Sequence, residues 1–84
     1  MADAVAARVK RITSELLKVD PAKVNESARF VEDLGAASIQ SIELVAAFEE
    51  EFNIEMDQDE ALSVKSVGDA VEYIRKIIAE QHGK

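Results

Sequence analysis

The side chains that could carry out chemistry in this sequence are few. There is no cysteine, and the only histidine is His82, close to the C-terminus, so neither a Ser-His-Asp nor a Cys-His arrangement can be built. Carboxylates are abundant, but on the outer faces of helices we expect them to keep ordinary pKa values. The sequence therefore predicts no catalytic residues and no enzyme.

The residues after Asp57 do not match the pattern of a calcium-binding loop. Asp57 and Asp59 would occupy positions 1 and 3 of a twelve-residue loop, but Leu62 stands where glycine is needed and Gly68 where glutamate is needed. We predict no metal site. Weak binding of a divalent ion by clustered acids is the least favoured alternative.

Ser38 is the residue best placed to carry a covalent group. It follows the turn expected at Gly35 and begins a predicted helix, whose N-terminus would stabilise an attached phosphate. A serine at this position is most often only an N-cap, and that interpretation stays open. Ser41 is the rival, but it lies within the helix on the side of the core.

The apolar spacing predicts the helices that position this serine. The first helix covers residues 3–18 with Asp3 as N-cap, and the second begins near Ser38 and ends at about Phe52 or Asn53. A short third helix covers 58–62 behind a cap at Asp57 and packs through Leu62 and Val64. The last begins after Ser66, and we expect residues 81–84 to fray. Its periodic apolar residues are Val67, Ala70, Val71, Ile74, Ile77 and Ile78.

Between the first two helices lies a long connection, residues 19–37. It contains one predicted turn after Asp20 and Pro21. Four apolar residues are expected to anchor it on the core: Val24, Phe30, Val31 and Leu34. No segment alternates with the period of a strand. The whole is predicted to be a single all-α domain over 1–84, an antiparallel bundle of three long helices and one short helix with a long first loop.

The second helix has two apolar stripes. Leu44, Phe48 and Phe52 share one face, which predicts packing on the core. A second stripe consists of Ile39, Ile42 and Ala46, and it is bracketed by Glu43, Glu49 and Glu50. A surface helix needs only one apolar stripe, so the second indicates a site for a protein partner.

Charge is unevenly distributed along the chain. Residues 30–64 contain ten acids and no lysine or arginine, whereas the remaining residues sum to +3. Such a segment repels nucleic acid and anionic lipid and attracts proteins with basic patches, although a merely solvated acidic face remains the alternative. No run of 18 apolar residues could span a membrane. The absence of cysteine fits the cytoplasm, and we expect a monomer.

Five strings in order resemble the acyl carrier proteins. They are VDPAKV at 19–24, FVEDLGA at 30–36, IELV at 42–45, FEEEF at 48–52 and VKSVGDAVEYI at 64–74. The resemblance implies that Ser38 bears 4′-phosphopantetheine, transferred from coenzyme A by a phosphopantetheinyl transferase, and that the thiol of this group holds an acyl chain as a thioester.

The same resemblance implies partners and an acyl pocket. The partners would be enzymes of fatty acid, lipid or polyketide-type synthesis that dock through basic patches. The docking residues it implies are Ile39, Ile42, Glu43, Ala46, Glu49 and Glu50, and the acyl-pocket residues are Phe30, Leu44, Val45 and Ile74.

The sequence departs from the family at the centre of its motif. The usual Asp-Ser-Leu is Ala37-Ser38-Ile39 here, and Gln40 follows where an acid is common. These changes predict a specialised member that is modified slowly or by a dedicated transferase. A carrier of aminoacyl or D-alanyl groups and an unmodified interaction module are the alternatives.

Overall fold

The computed structural model describes residues 4–82, which form four helices joined by turns and by the long connection between the first two helices. The helices are α1 (Ala4–Leu17), α2 (Ser38–Phe52), α3 (Gln58–Leu62) and α4 (Val67–Gln81), with a 3₁₀ turn at Pro21–Lys23. No strand occurs within these residues, which confirms the all-α class. The predicted N-cap Asp3 lies outside the described residues. No helix in this range combines the length and the apolarity needed to cross a membrane.

The core forms where α1 packs against both α2 and α4. The predicted core stripe of α2 is confirmed, because Leu44, Phe48 and Phe52 are all buried. The apolar face of α4 is confirmed as well, with Ile78 half-buried and the other five residues buried.

In α1 the buried face differs from the predicted stripe. Val9 and Ile12 are buried as expected, but Val5 and Leu16 are only half-buried, and Ala6, Thr13 and Leu17 are buried in addition. The reason is that α1 contacts two helices, so its buried face is wider than a stripe meeting one neighbour.

Arg8 ties α1 to the end of α2. Its Nε lies 2.7 Å from Glu51 Oε2, its Nη2 donates to the Glu51 carbonyl oxygen at 2.9 Å, and its guanidinium stacks 4.6 Å from the centre of the Phe52 ring. Arg11 Nη2 lies 3.1 Å from the same carboxylate oxygen. The hydrogen bond from Arg8 is the main cause that lowers the pKa of Glu51.

The long connection is held down by its own apolar residues. Asp20 accepts the Ala22 N–H, as predicted for the turn, and Val24, Phe30 and Leu34 are buried. The prediction for Val31 is wrong, since this residue is 57% exposed. Residues 29–35 coil like a helical turn, with the Gly35 N–H donating to the Val31 carbonyl, so residues four apart face inward and Val31 faces outward.

Backbone hydrogen bonds join this connection to the start of α4. The N–H groups of Val67 and Gly68 donate to the carbonyls of Ala28 and Glu26 at 2.9 and 2.8 Å, and the Phe30 N–H donates to the Lys65 carbonyl at 3.0 Å. A Cβ on Gly68 would lie 2.9 Å from the Glu26 carbonyl oxygen, so this close approach requires glycine. Ser66 is the N-cap of α4, as predicted, and accepts the Asp69 N–H.

The short helix α3 has the predicted bounds and cap. Asp57 Oδ1 accepts the Glu60 N–H at 3.1 Å. Its packing differs from the prediction, because Ala61 is buried while Leu62 is 38% exposed; a helix of five residues turns only a narrow face to its neighbours. Val64 is half-buried.

The end of α4 departs from the expectation of a frayed tail. Gln81 Nε2 donates to the Glu55 carbonyl at 2.8 Å, and Gln81 Oε1 accepts the Glu55 N–H at 3.0 Å. His82 Nε2 lies 2.7 Å from the Asn53 carbonyl oxygen. These contacts hold 81 and 82 against the turn after α2, while 83 and 84 lie outside the described residues.

Candidate functional site

Two features hold the turn that leads to Ser38. They are a glycine and the hydrogen bonds between Arg29 and Asp33, which we call the Arg29–Asp33 lock. Asp33 Oδ2 accepts the backbone N–H of Arg29 at 2.8 Å and its Nε–H at 3.1 Å, and these bonds lower the pKa of Asp33. Gly35 has φ of +73°, and a Cβ there would meet no atom within 4 Å. Glycine is therefore favoured at this position by its positive φ and not by the close approach of another atom.

Helix α2 begins without a side-chain cap. The N-cap position is Ala37, whose methyl group cannot accept a hydrogen bond, and Gln40 Oε1 reaches back to the Ala37 N–H at 2.9 Å. Among residues 4–82, the N–H groups of Ser38, Ile39 and Gln40 have no hydrogen-bond partner. Three donors and the positive end of the helix dipole are thus available to an anion.

Ser38 is the first helical residue and not the cap, so the interpretation of this serine as an N-cap is wrong. Its side chain is exposed, and within the described residues its hydroxyl has no hydrogen-bond partner. The rival, Ser41, is half-buried and lies on the wall of a cavity. An accessible hydroxyl beside unpaired N–H groups fits a phosphate ester, since the donors would face its oxygens.

The second apolar stripe of α2 is exposed, as the sequence predicts. Ile39 is 66% exposed and Ile42 is 46% exposed, and Ala46 is exposed beside them. Glu43 and Glu50 flank the stripe, and no hydrogen bond or ion pair to another described residue occupies them. We call these five residues the α2 strip.

The acids at the end of α2 include two with structural partners. Glu49 is half-buried, and its Oε2 accepts the Met56 N–H at 2.8 Å, which holds the turn into α3. Glu51 pairs with Arg8 and Arg11 of α1. The sequence placed Glu49 with the docking residues because its helical angle brackets the stripe; its hydrogen bond depends on a turn that the angle does not describe.

A cavity of about 210 Å³ lies beside this helix. Three predicted pocket residues, Phe30, Leu44 and Val45, lie on its wall, but Ile74 does not. Ile74 is fully buried in the core, and α4 instead contributes Ala70 and Tyr73, which lie three residues apart on a neighbouring face. Sequence reasoning missed the wall that α3 and its flanking turns supply, which consists of Met56, Ala61, Leu62 and Val64.

Carboxylates are numerous in the described part of the chain, but they are dispersed. Within 4–82 no group of three or more histidine or carboxylate side chains converges on a point where an ion could be held. Asp57 is instead engaged as the cap of α3.

Comparison with known proteins finds two kinds of similarity. Residues 7–74 match the family model described as "Phosphopantetheine attachment site". The chain is 53% identical over 72 residues to an "Acyl carrier protein" of Sinorhizobium fredii (strain NBRC 101917 / NGR234), an alignment that covers 86% of this chain and 92% of the relative. The same identity and coverage relate it to "Acyl carrier protein AcpP" of Rhizobium meliloti (strain 1021).

Proposed function

The chain belongs to the acyl carrier protein family, and from that premise we propose that Ser38 is the residue to which its 4′-phosphopantetheine group is attached. The chain is a carrier and not an enzyme. The observation that supports Ser38 is its exposed hydroxyl without a partner at the first position of α2. When attached, the group supplies a thiol that holds an acyl chain as a thioester, which a chain without cysteine cannot supply itself.

The residues around Ser38 suit this attachment. The N–H groups at the start of α2 can donate to the phosphate oxygens, and the Arg29–Asp33 lock holds the approach in one conformation. Since Ala37 and Gln40 are uncharged, a transferase finds no acid immediately before or two residues after the serine. This supports the proposal that the chain is a specialised member with its own transferase requirement.

The experiment is intact-mass measurement after incubation with coenzyme A and a broad-specificity phosphopantetheinyl transferase. We expect a gain of one phosphopantetheine in the unaltered protein and in Ser41→Ala, and no gain in Ser38→Ala. The matched Ser41 variant removes a hydroxyl one helical turn away without touching the exposed start of the helix. A gain that persists in Ser38→Ala would place the attachment elsewhere.

We propose that partner enzymes dock on the α2 strip through basic patches. Support comes from the juxtaposition of exposed isoleucines with carboxylates that have no partner in the described residues. Such a surface attracts arginine and lysine at long range and buries apolar area on contact. Covalent attachment at Ser38 raises the local concentration of cargo at a docked enzyme, so the contacts themselves can be weak.

Charge reversal tests the docking proposal. Glu43→Lys and Glu50→Lys should each weaken binding to a cognate enzyme, and the loss should shrink as salt is raised. Glu80→Lys, on the exposed end of α4, makes the same change in net charge away from the strip and serves as the control. Equal effects of all three variants at low salt would contradict a localised site. Glu49 is unsuitable because its variant would also lose the bond to Met56.

The proposed pathway class is fatty acid, lipid or polyketide-type synthesis, and the proposed location stays the cytoplasm. The names of both relatives favour acyl cargo over aminoacyl or D-alanyl cargo. The cavity beside α2 supports the same assignment, because apolar side chains such as Phe30, Leu44 and Val45 would shelter a hydrocarbon chain.

A further inference from the structure

A hydrogen bond between α3 and α4 lies on the wall of the cavity. The Tyr73 hydroxyl donates to Glu60 Oε1 at 3.2 Å, and the half-buried Tyr73 ring is part of the cavity lining. Burial, followed by the Glu60 carboxylate, raises the pKa of Tyr73 above its usual value of 10.0, so the hydroxyl keeps its proton at neutral pH. The contact therefore persists as a donor meeting a charged acceptor.

The wall that this bond holds is the short helix α3. Helix α3 has five residues, too few for a stable isolated helix, and Ala61 is the residue that it buries. On the side of α2, the preceding turn is tied by the Met56 N–H to Glu49 Oε2. On the side of α4, Tyr73 reaches across to Glu60. Without that bond α3 could swing outward about its attachment to α2.

The cavity is partly open to solvent, and the space inside it has room for a limited length of chain. Since an engineered cavity of about 150 Å³ in another protein accommodates the six carbons of benzene, one of about 210 Å³ holds roughly eight. A longer chain is completely enclosed only if a wall moves, and α3 is the helix at the cavity with the fewest buried residues.

We propose that the Tyr73–Glu60 hydrogen bond is a latch that keeps α3 closed over the cavity, and that it makes Tyr73 the residue that limits the enclosed cargo to a linear acyl chain of roughly eight carbons. The latch is a property of the unmodified chain. The length limit rests on the proposed function, because it concerns cargo delivered from Ser38.

Amide hydrogen exchange of the unmodified protein tests the latch. Helix α3 and its exit provide three reporters, the N–H groups of Ala61, Ser63 and Val64, each bonded within the segment. Tyr73→Phe removes only the hydroxyl and should speed their exchange about fivefold, the factor expected for one net hydrogen bond. Glu60→Ala removes the acceptor and should do the same, while amides in α1 and α4 keep their rates.

Two matched variants keep the test specific. Glu60→Gln retains an acceptor oxygen but loses the charge, so it should speed exchange of the reporters less than Glu60→Ala does. Asp59→Asn removes a neighbouring carboxylate that has no partner in the described residues and should also leave the three reporters unchanged. Unchanged reporters in both Tyr73→Phe and Glu60→Ala, or acceleration spread over every helix, would overturn the latch.

The length limit is tested on carriers loaded from octanoyl- and dodecanoyl-coenzyme A by the same transferase, with thioester cleavage by hydroxylamine as the readout. In the unaltered protein dodecanoyl should be cleaved several-fold faster than octanoyl, and Tyr73→Phe should bring the two rates together. Equal rates in the unaltered protein would overturn the limit. Failure to load would overturn the proposed function and the limit with it, whereas the exchange measurement would still decide the latch.

Discussion

Helices α2 and α4 begin in opposite ways. At α4, Ser66 accepts the Asp69 N–H, and carbonyls of the long connection accept the N–H groups of Val67 and Gly68. At α2, Ala37 stands at the cap position without an acceptor, and the first three helical N–H groups have no partner among residues 4–82. One chain thus contains a closed helix start and an open one.

The closed start supports the open one. The connection that caps α4 runs on through Phe30 and the Arg29–Asp33 lock to Gly35 and Ser38, so its bonds to α4 also fix the approach to the serine. The open start forgoes about 1 kcal/mol of capping energy and keeps its donors and its hydroxyl accessible. The two helix starts therefore differ in their hydrogen bonds: those at α4 stabilise the segment beside the proposed attachment site, whereas the first turn of α2, at the site itself, has no such bonds to other described residues.

Among the variants of the closed start of α4, Gly68→Ala should lower the free energy of unfolding the most. Alanine favours a helix over glycine by about 1 kcal/mol, but the new Cβ would lie 2.9 Å from a backbone carbonyl that cannot move without losing its bond to Gly68. We expect a net loss of about 1–2 kcal/mol, measured by urea unfolding. Gly35→Ala, strained only by its φ, is the comparison and should leave exchange of the Gly68 amide unchanged. A gain in stability for Gly68→Ala would show that the connection shifts to accommodate the new Cβ.

Ser66→Ala should weaken the same start by less. It removes the acceptor for one N–H, that of Asp69, while the carbonyls of Glu26 and Ala28 remain in place. The expected loss is about 1 kcal/mol, or about 4–8 °C in Tm. The control is Ser63→Ala, whose hydroxyl bonds locally to the Glu60 carbonyl and caps no helix start. An equal loss in both variants would indicate that the cap itself contributes little.

Ala37→Asp should convert the open start into a closed one. The φ and ψ of Ala37, −80° and 166°, are those of an N-cap, so aspartate can accept an N–H of the first turn without backbone change. We expect stabilisation of about 0.5–1 kcal/mol in thermal unfolding. Ala46→Asp, at an exposed position in the middle of the same helix, adds the same charge without a cap and should not stabilise. If Ala37→Asp fails to stabilise, the N–H groups are satisfied in some other way.

Acid should loosen the approach to Ser38 before it affects the cap of α4. Bonds from Arg29 lower the pKa of Asp33 below its ordinary 3.8, so this stabilisation is present above that value and is lost as pH falls through the folded pKa. The Ser66 hydroxyl does not titrate there. Asp33→Asn should flatten the acid limb of the stability profile, followed by circular dichroism from pH 5 to pH 2. An unchanged limb would mean that the lock contributes nothing measurable.

Local sequence signals, chiefly helical periodicity, predicted much of the fold. They predicted the bounds of α2 and α3, the caps at Asp57 and Ser66 and the two stripes of α2, because these depend on residues within a few positions of one another. The predictions for Val31 and Leu62 were wrong, because the exposure of each depends on which neighbour its face meets. Ile74 is buried in the core, as its spacing predicts, but it does not line the cavity, as the family resemblance implied.

Residue type and spacing by themselves determined the four helices, the absence of any usual catalytic set, the exposed acidic and apolar stripe, and Ser38 as the candidate for attachment. Only the tertiary structure decided that Ser38 is not the cap, that Glu49 and Glu51 have structural partners, and that Tyr73 and α3 enclose the cavity. The physical reason is range. Helix periodicity and capping act between residues three or four apart, whereas the ion pair of Glu51 and the wall of the cavity join residues up to 43 positions apart and require the packed core to bring them together.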